Sequence, residues 1–274
     1  MKPLTPLPLP SMPYFDAIVD AKEEPRHARL VALKPTVGNC FQAYYQNRQQ
    51  LHTVAATGLT DEAKDDLRNC YTGDTVPLHQ LKRDIIAHQD PASAALCQYC
   101  GLNAAPRSFD HYLPKEAFAE FSTLSLNLVP CCLDCNQLKR EAWLQNGQRM
   151  IVSFYYDTLP ITQYLHASIT LVAGVPEARF ALSGNAALYG GLQATVQSHF
   201  EKLDLLNRYA KAWPAVLSEN RQWIHDIVQN AGVAQAGTML TQRATELAQA
   251  WSLNFWKVAL YQAMAASQPF LQFC

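Results

Sequence analysis

The chain carries CQYC at residues 97–100, DHYLPK at residues 110–115 and NLVPCCLDCNQLK at residues 127–139. The first and the last of these stretches each contain a C-x-x-C pair, and 31 residues separate the two pairs. Two matched pairs supply four thiolates, which is the ligand set of a tetrahedral structural zinc site. The predicted zinc ligands are Cys97, Cys100, Cys132 and Cys135.

The remaining cysteines do not favour a disulfide framework. Five of the eight cysteines crowd into residues 97–135, and the chain shows no secretion signal, so metal binding is favoured over disulfide formation. The pair Cys132 and Cys135 repeats the spacing of the first pair, which leaves Cys131 outside the predicted ligand set.

The composition indicates a globular protein with a sizeable core. The chain has 274 residues, 49% of them hydrophobic, and this length suggests about two domains. Only 16% of the residues are charged, below the usual value of about 25%. A surface so poor in charge is expected where a protein contacts a partner or a second copy of itself, so homo-oligomerisation stays open.

The charge balance and the hydropathy pattern exclude several functions. The net charge of −1 at pH 7 argues against a protein that coats nucleic acid by bulk charge. No run approaches the roughly 18 apolar residues that a membrane helix needs. Five prolines interrupt residues 1–13, where a signal peptide would need an unbroken apolar stretch. We therefore expect a cytoplasmic protein that does not enter the membrane.

Apolar periodicity divides the chain into four segments, which we expect to pack as one compact unit. These are a helical segment at 1–95, a cysteine-rich module at 96–145, a segment of short strands at 146–190 and a helical segment at 191–274.

Within these segments, the sequence predicts individual elements. Residues 3–13 favour extended polyproline geometry, and Thr60 is expected to cap a helix. Further helices are predicted over 37–51 and 78–86, and strands over 150–156, 166–174 and 178–184.

The residues between and after the cysteine pairs resemble the HNH nucleases. Asp110 and His111 are followed by Pro114, then by Asn127, and then by Asn136 directly after the last cysteine. A bacterial subgroup reads roughly DH-aromatic-LPK, then Phe-Ser, then NLVPCC-x-x-CN-x-x-K, and the match spans about 45 residues. The chain departs from the general motif in carrying Asn136 at its last position instead of histidine, and in lacking the glycine pair that often follows the proline.

We therefore expect an α+β fold. A mostly helical body would surround a small zinc-stapled ββα-metal module, with a short antiparallel sheet after it. By the resemblance, His111 deprotonates the attacking water, while Asp110 and Asn136 bind a catalytic Mg²⁺ or Mn²⁺. The resemblance also implies that Asn127 braces the loop that orients the histidine.

Lys115 and Lys139 lie beside this site in the sequence and are expected to contact phosphate oxygens of the substrate. Residues 97–140 nevertheless hold four basic and four acidic side chains, so this stretch is not a basic clamp. A nuclease of this kind needs help to hold its substrate. That expectation agrees with the resemblance to the nuclease component of Septu-like and retron-associated anti-phage systems, whose partner is an ATPase of the ABC/SMC type.

Two functions of different classes remain open. The first is a metal-dependent HNH endonuclease that cuts DNA in bacterial anti-phage defence. The alternative is a zinc-stapled module that binds nucleic acid or protein without catalysis. A serine hydrolase is disfavoured because the chain contains no G-x-S-x-G.

Overall fold

The computed structural model of the chain describes residues 2–8, 11–102 and 105–274. The described residues are mostly helical with short antiparallel sheets, which confirms the predicted α+β class. They divide into two compact units. One comprises residues 3–8, 11–99 and 105–157, and the other comprises residues 2, 100–102 and 158–274.

The first unit combines N-terminal helices, a ββα arrangement and a short hairpin. The helices are α1 (Met12–Asp20), α2 (Arg26–Gln46), α3 (Asp61–Thr72), α4 (Val76–Ala87) and α5 (Pro91–Ala95). The ββα arrangement consists of β1 (Ser108–His111), β2 (Leu128–Cys131) and α6 (Leu133–Lys139), and the hairpin of β3 (Leu144–Gln145) and β4 (Gln148–Arg149). Strands β1 and β2 pair antiparallel, with His111 opposite Leu128.

The N-terminal helices follow the sequence patterns with adjusted boundaries. Thr60 is the predicted cap of α3, and its Oγ1 accepts a hydrogen bond from the Ala63 amide at 3.2 Å. Helix α2 begins at Arg26 instead of near residue 37, because the buried Leu30 continues its apolar face toward the N-terminus. The prediction of extended polyproline geometry over residues 3–13 is wrong at Pro13, which lies in the first turn of α1. A proline is tolerated there because the amide hydrogens of a first helical turn have no partner within the helix. Residues 9 and 10 of that range lie outside the described residues.

A buried carboxylate joins α2 to α3. The Asp66 side chain is 2% exposed and accepts hydrogen bonds from Arg29 Nε at 2.6 Å and from Arg26 Nε at 2.8 Å. The bonds from Arg29, and then those from Arg26, hold the pKa of Asp66 below its usual range. This anchor fixes α3, and the last turn of α3 carries Tyr71, which contacts the candidate site.

Residues 150–156 do not form the predicted strand. The chain turns here, with the Asp157 amide donating to the Ser153 carbonyl at 2.9 Å and the Asp157 carboxylate accepting from the Ser153 amide at 2.8 Å. Arg149 Nη1 holds the same carboxylate at 2.8 Å. These local hydrogen bonds satisfy backbone groups that, in a strand, would bond to a neighbouring strand. The apolar side chains of this segment are therefore buried without forming part of a β-sheet.

The second unit packs a hairpin against C-terminal helices. Its elements are β5 (Leu165–Val172), β6 (Val175–Leu182), α7 (Gln193–Lys202), α8 (Leu205–Ala231), α9 (Val233–Ala250), α10 (Trp256–Ala266) and α11 (Gln268–Phe273). The hairpin confirms the strands predicted over 166–174 and 178–184. Ala173 and Gly174 both have positive φ, as a tight two-residue turn requires. Asn254 joins helices to hairpin, because its Oδ1 accepts from the Tyr164 and Leu165 amides at 2.8 and 3.1 Å.

In the part of the chain that the structure describes, none of the helices combines the length and the apolar character that crossing a bilayer demands.

Candidate functional site

A buried cluster of thiols is held partly by the ββα arrangement. The ligand atoms of Cys97, Cys100, Cys132 and Cys135 all lie within 4.8 Å of one another, and all four residues are buried. Cys132 is the N-cap residue of α6, and Cys135 follows three residues later, so one helical turn presents both thiols. This cluster could hold a metal ion, and its members are the four cysteines predicted from the spacing. Cys131 is not among them, since its Sγ contacts Ser108 Oγ at 3.4 Å.

Asp110 lies on β1 with its carboxylate almost fully enclosed, at 3% exposure. Its Oδ2 accepts a hydrogen bond from the Tyr99 hydroxyl at 2.7 Å, and Lys139 Nζ lies 2.9 Å from Oδ2 and 3.1 Å from Oδ1. Burial raises the pKa of Asp110, whereas the charge and the hydrogen bond of Lys139 oppose that rise. The ammonium of Lys139 is therefore the main group that counteracts the effect of burial on this carboxyl.

Lys139 is not placed to contact a substrate phosphate, contrary to the expectation from the sequence. Its side chain is 0% exposed, at the end of α6. Besides Asp110, its Nζ donates to the His111 carbonyl at 2.8 Å. These oxygens surround the ammonium, and solvent does not reach it. The role of Lys139 is therefore structural: it links the end of α6 to the end of β1.

His111 follows Asp110 on β1 and has its ring fixed by one hydrogen bond. Its Nε2 lies 2.9 Å from the Ser122 carbonyl oxygen. A carbonyl can only accept, so Nε2 carries the proton, and in the neutral ring Nδ1 keeps its lone pair as an acceptor. Burial, followed by the positive charges of Lys115, Lys139 and Lys82, lowers the pKa of His111 to about 3. The imidazole is thus a neutral base over the whole physiological range.

A tyrosine from α3 packs directly against this imidazole. The Tyr71 ring meets the His111 ring edge to face, with 4.3 Å between the ring centroids. The Tyr71 hydroxyl donates to the Phe109 carbonyl at 2.9 Å, which ties α3 to β1. On the same tyrosine ring, Lys82 Nζ of α4 lies 4.3 Å from the centroid.

Asn127 holds the loop between β1 and β2. Its Oδ1 accepts from the Leu113 amide at 2.8 Å, and its Nδ2 donates to the carbonyls of Leu113 and Phe121 at 3.0 and 3.2 Å. The side chain is completely buried. Since these bonds fix the main chain just after His111 and just before Ser122, Asn127 occupies the position that a bracing role requires.

Asp110, His111 and Asn136 line one cleft of about 350 Å³. Asn136 is half-buried on the first turns of α6. One carboxylate and one amide oxygen are the hard ligands that Mg²⁺ or Mn²⁺ prefers, with water completing the shell. The bonds from Tyr99 and Lys139 use three of the roughly four lone-pair sites of Asp110, so one oxygen site remains for a cation. Asp110 and Asn136 are thus the residues of this cleft that could hold a divalent ion.

Lys115 also lines this cleft, as expected from the sequence, and its ammonium is paired with the Glu116 carboxylate. Arg140 and Glu141 lie on the lining as well. Basic and acidic side chains therefore both line the cleft, which agrees with the even charge count of residues 97–140.

Sequence reasoning missed Tyr71, Lys82 and Tyr99 as members of this site. Tyr71 and Lys82 lie on helices more than 25 residues before the motif, where an apolar helical pattern indicates only a core. Tyr99 lies inside the first cysteine pair, and a C-x-x-C spacing gives no role to its middle residues. In the sequence, nothing marks these three side chains as neighbours of Asp110 and His111.

No protein-family model and no solved structure matches the chain. Among curated proteins, the chain is similar to protein ea31 of Escherichia phage lambda. The two are 22% identical over 294 aligned positions, which cover 97% of this chain and 98% of ea31. The similarity thus covers nearly all of this chain and of ea31, and it is not limited to the cysteine-rich stretch.

The cysteine cluster predicts metal-dependent stability. We expect Cys135→Ser to lose the bound metal and to melt at a much lower temperature, since a structural metal contributes on the order of 10 kcal/mol to folding. Metal content by atomic emission and the melting temperature measure this. Cys131→Ser, at a buried thiol outside the cluster, is the matched control and should keep its metal. A Cys135→Ser protein with full metal content and unchanged melting would contradict the ligand assignment.

The buried pair predicts a large stability loss when only one partner is removed. Lys139→Met keeps the length of the side chain but leaves the Asp110 carboxylate without its counter-charge, which should cost about 3–5 kcal/mol in the free energy of unfolding. Urea denaturation measures the loss. In the double variant Lys139→Met with Asp110→Asn no unpaired charge remains, so part of the stability should return. Additive losses would show that the two groups are not coupled.

The pKa of His111 predicts a pH dependence of stability. The ring is neutral in the folded protein, whereas the unfolded chain binds a proton below about pH 6.5. Stability therefore falls as the pH drops from 6.5 toward 3. Between pH 7.5 and pH 5.0 the wild type should lose about 2 kcal/mol more than His111→Gln, measured by urea denaturation. Parallel pH profiles for the two proteins would show that His111 titrates normally when folded.

Proposed function

We propose that this chain is a metal-dependent HNH endonuclease that hydrolyses phosphodiester bonds in DNA. The observation that carries the proposal is the state of His111: its Nε2 proton is engaged by the Ser122 carbonyl, and the neutral ring lines the same cleft as Asp110 and Asn136. A positioned neutral imidazole beside two oxygen ligands is what phosphodiester hydrolysis requires of a protein.

In the proposed reaction, His111 Nδ1 accepts a proton from the attacking water. The water oxygen forms a bond to phosphorus, and the bond from phosphorus to the leaving oxygen breaks. Asp110 and Asn136 would hold the divalent ion, which when bound stabilises negative charge on the phosphate and on the leaving oxygen. Asn127 keeps the loop after His111 in place, and Tyr71 limits the rotation of the imidazole ring.

For the cysteine cluster we propose zinc in a structural role. Four thiolates close a tetrahedral shell and leave no open position for substrate or water. The cluster also starts α6, the helix that supplies Asn136 to the cleft and Lys139 to the buried carboxylate of Asp110. Zinc would then act through the position of this helix, separately from the ion at Asp110.

We further propose that the chain works as the nuclease subunit of a bacterial anti-phage defence system, together with an ATPase of the ABC/SMC type. Support comes from the motif variant and from the mixed charges around the cleft, where Lys115 is paired with Glu116. Tight binding to a duplex normally uses several free cations. A partner that holds DNA would supply what this cleft lacks, and the low charged fraction of the chain agrees with a partner-covered surface.

One observation favours the alternative, a zinc-stapled binding module without catalysis. The ammonium of Lys139 already neutralises Asp110, the first candidate ligand of the divalent ion. In a pure binding module this pair would be a structural element only, and His111 would serve as a packed core side chain.

A nicking assay on supercoiled plasmid DNA with Mg²⁺ or Mn²⁺ separates the two functions. Wild type should cut, and His111→Gln should lose about 10²–10⁴-fold in rate, the usual contribution of a general base. Cutting by both proteins at equal rates would refute the role of His111. Plasmid binding without cutting by the wild type, also after addition of a partner ATPase, would favour the binding module.

The same assay tests the ligand assignment on α6. Asn136→Ala should raise the Mg²⁺ concentration needed for half-maximal cutting, whereas Gln137→Ala, at an exposed position of the same helix, should not. Equal metal dependence of the two variants would remove Asn136 from the ligand set.

A further inference from the structure

Lys82 occupies an unusual position for a lysine. It lies on α4 with its side chain half-buried, and its Nζ is held 4.3 Å from the centroid of the Tyr71 ring. Among the described residues, no carboxylate forms an ion pair with this ammonium. Asp74 is the acidic residue whose charge acts on it, but the Asp74 carboxylate is bound to the ring of His79.

Half-burying an ammonium without a carboxylate partner has a cost in solvation. The pKa of Lys82 is lowered, with burial as the main cause and the attraction of Asp74 opposing it. The face of Tyr71 recovers only part of the lost solvation through a cation–π contact. An anion beside this ammonium would be favourable, because it would supply the missing counter-charge.

The position of Lys82 relates it to the candidate reaction centre. Tyr71 lines the cleft and contacts the His111 ring, so a single aromatic ring separates Lys82 from the candidate base. The positive charge of Lys82 is one of the causes that lower the pKa of His111, as expected for two groups on either side of one ring.

The two lysines that the sequence predicted as phosphate ligands, Lys115 and Lys139, are both bound to other groups of the protein. Lys139 is fully enclosed by Asp110 and the His111 carbonyl, and Lys115 is paired with Glu116. Lys82 is half-exposed, and no described carboxylate neutralises its positive charge. An anion can therefore bind to its ammonium without displacing an ion-pair partner.

We propose that Lys82 binds a phosphate group of the DNA backbone next to the bond at His111. This inference rests on the proposed function and assigns part of its substrate binding to α4, outside the HNH-like stretch. Tyr71, which lines the cleft, serves as the platform against which the ammonium is held. The contact is to non-bridging phosphate oxygens, so it carries no sequence preference.

The test uses the full-length chain with His111→Gln, which prevents cutting, and a short fluorescein-labelled DNA duplex in Mg²⁺ buffer. Binding is followed by fluorescence anisotropy at a series of salt concentrations. Adding Lys82→Gln should weaken binding several-fold and reduce the slope of log K against log salt by about one, as expected for one lost phosphate contact. Lys82→Arg keeps the charge and should retain most of the slope.

Arg83→Gln is the matched control. It removes one positive charge from the next position of the same helix, where the exposed guanidinium bonds to Gln80 of α4 and to no other described residue. Its slope should equal that of the parent. Melting temperatures of all variants show whether each protein is folded.

Three outcomes would overturn the assignment of Lys82: an unchanged slope in Lys82→Gln, an equal reduction in Arg83→Gln, or a parent protein that does not bind the duplex. The nicking assay decides the proposed function separately. Cutting that depends on His111, combined with an unchanged slope in Lys82→Gln, would retain the nuclease and reject this contact. A reduced slope in a protein that never cuts would retain the contact in a binding module.

Discussion

The ammonium of Lys139 inside the first unit is the constraint on which the candidate site depends. A charge that is fully removed from water is tolerated only where oxygen atoms surround it. The carboxylate of Asp110 and the carbonyl of His111 meet that requirement, and they do so only if β1 and α6 end at the same place. Helix α6 is therefore fixed at both ends. The thiol cluster holds its N-terminal end, and the ion pair between Lys139 and Asp110 holds its C-terminal end.

The same enclosure sets the protonation state of the candidate base. Burial and three nearby cations keep His111 neutral, and the Ser122 carbonyl decides which nitrogen carries the proton. Asn127 fixes the peptide on either side of the loop between them. The contacts that stabilise the fold around His111 are thus the same contacts that set the protonation and the direction of its imidazole.

The sequence indicated the candidate centre better than its surroundings. The spacing of the cysteines predicted the cluster, because a C-x-x-C pair leaves few geometries for its two thiols. Asp110, His111 and Asn136 were grouped by the resemblance of the motif, and they line one cleft. The phosphate role of Lys139 was wrong because the sequence cannot show that a lysine near the end of a helix points inward. Tyr71 was missed since its contact with His111 spans 40 residues.

The strand predicted over 150–156, which the structure does not contain, also shows that a sequence pattern does not reveal which hydrogen bonds a segment forms. Its β-branched and aromatic residues satisfy the pattern of a strand, but Asp157 provides a local partner for the backbone, and the segment turns. Pattern alone does not tell a buried strand from a buried turn when one carboxylate supplies the competing hydrogen bond.

The contact between Tyr71 and His111 has a consequence for how this protein can be divided. Residues 96–145 contain the whole thiol cluster and the whole HNH-like motif, so the sequence suggests that they form an independent module. Cut out as a fragment, they would leave the imidazole without its aromatic neighbour from α3 and would open the Asn127 loop to water, since the Tyr44 hydroxyl of α2 bonds to that asparagine and to the carbonyl before it. A fragment that is to keep these contacts must therefore contain α2 and α3 together with the ββα arrangement.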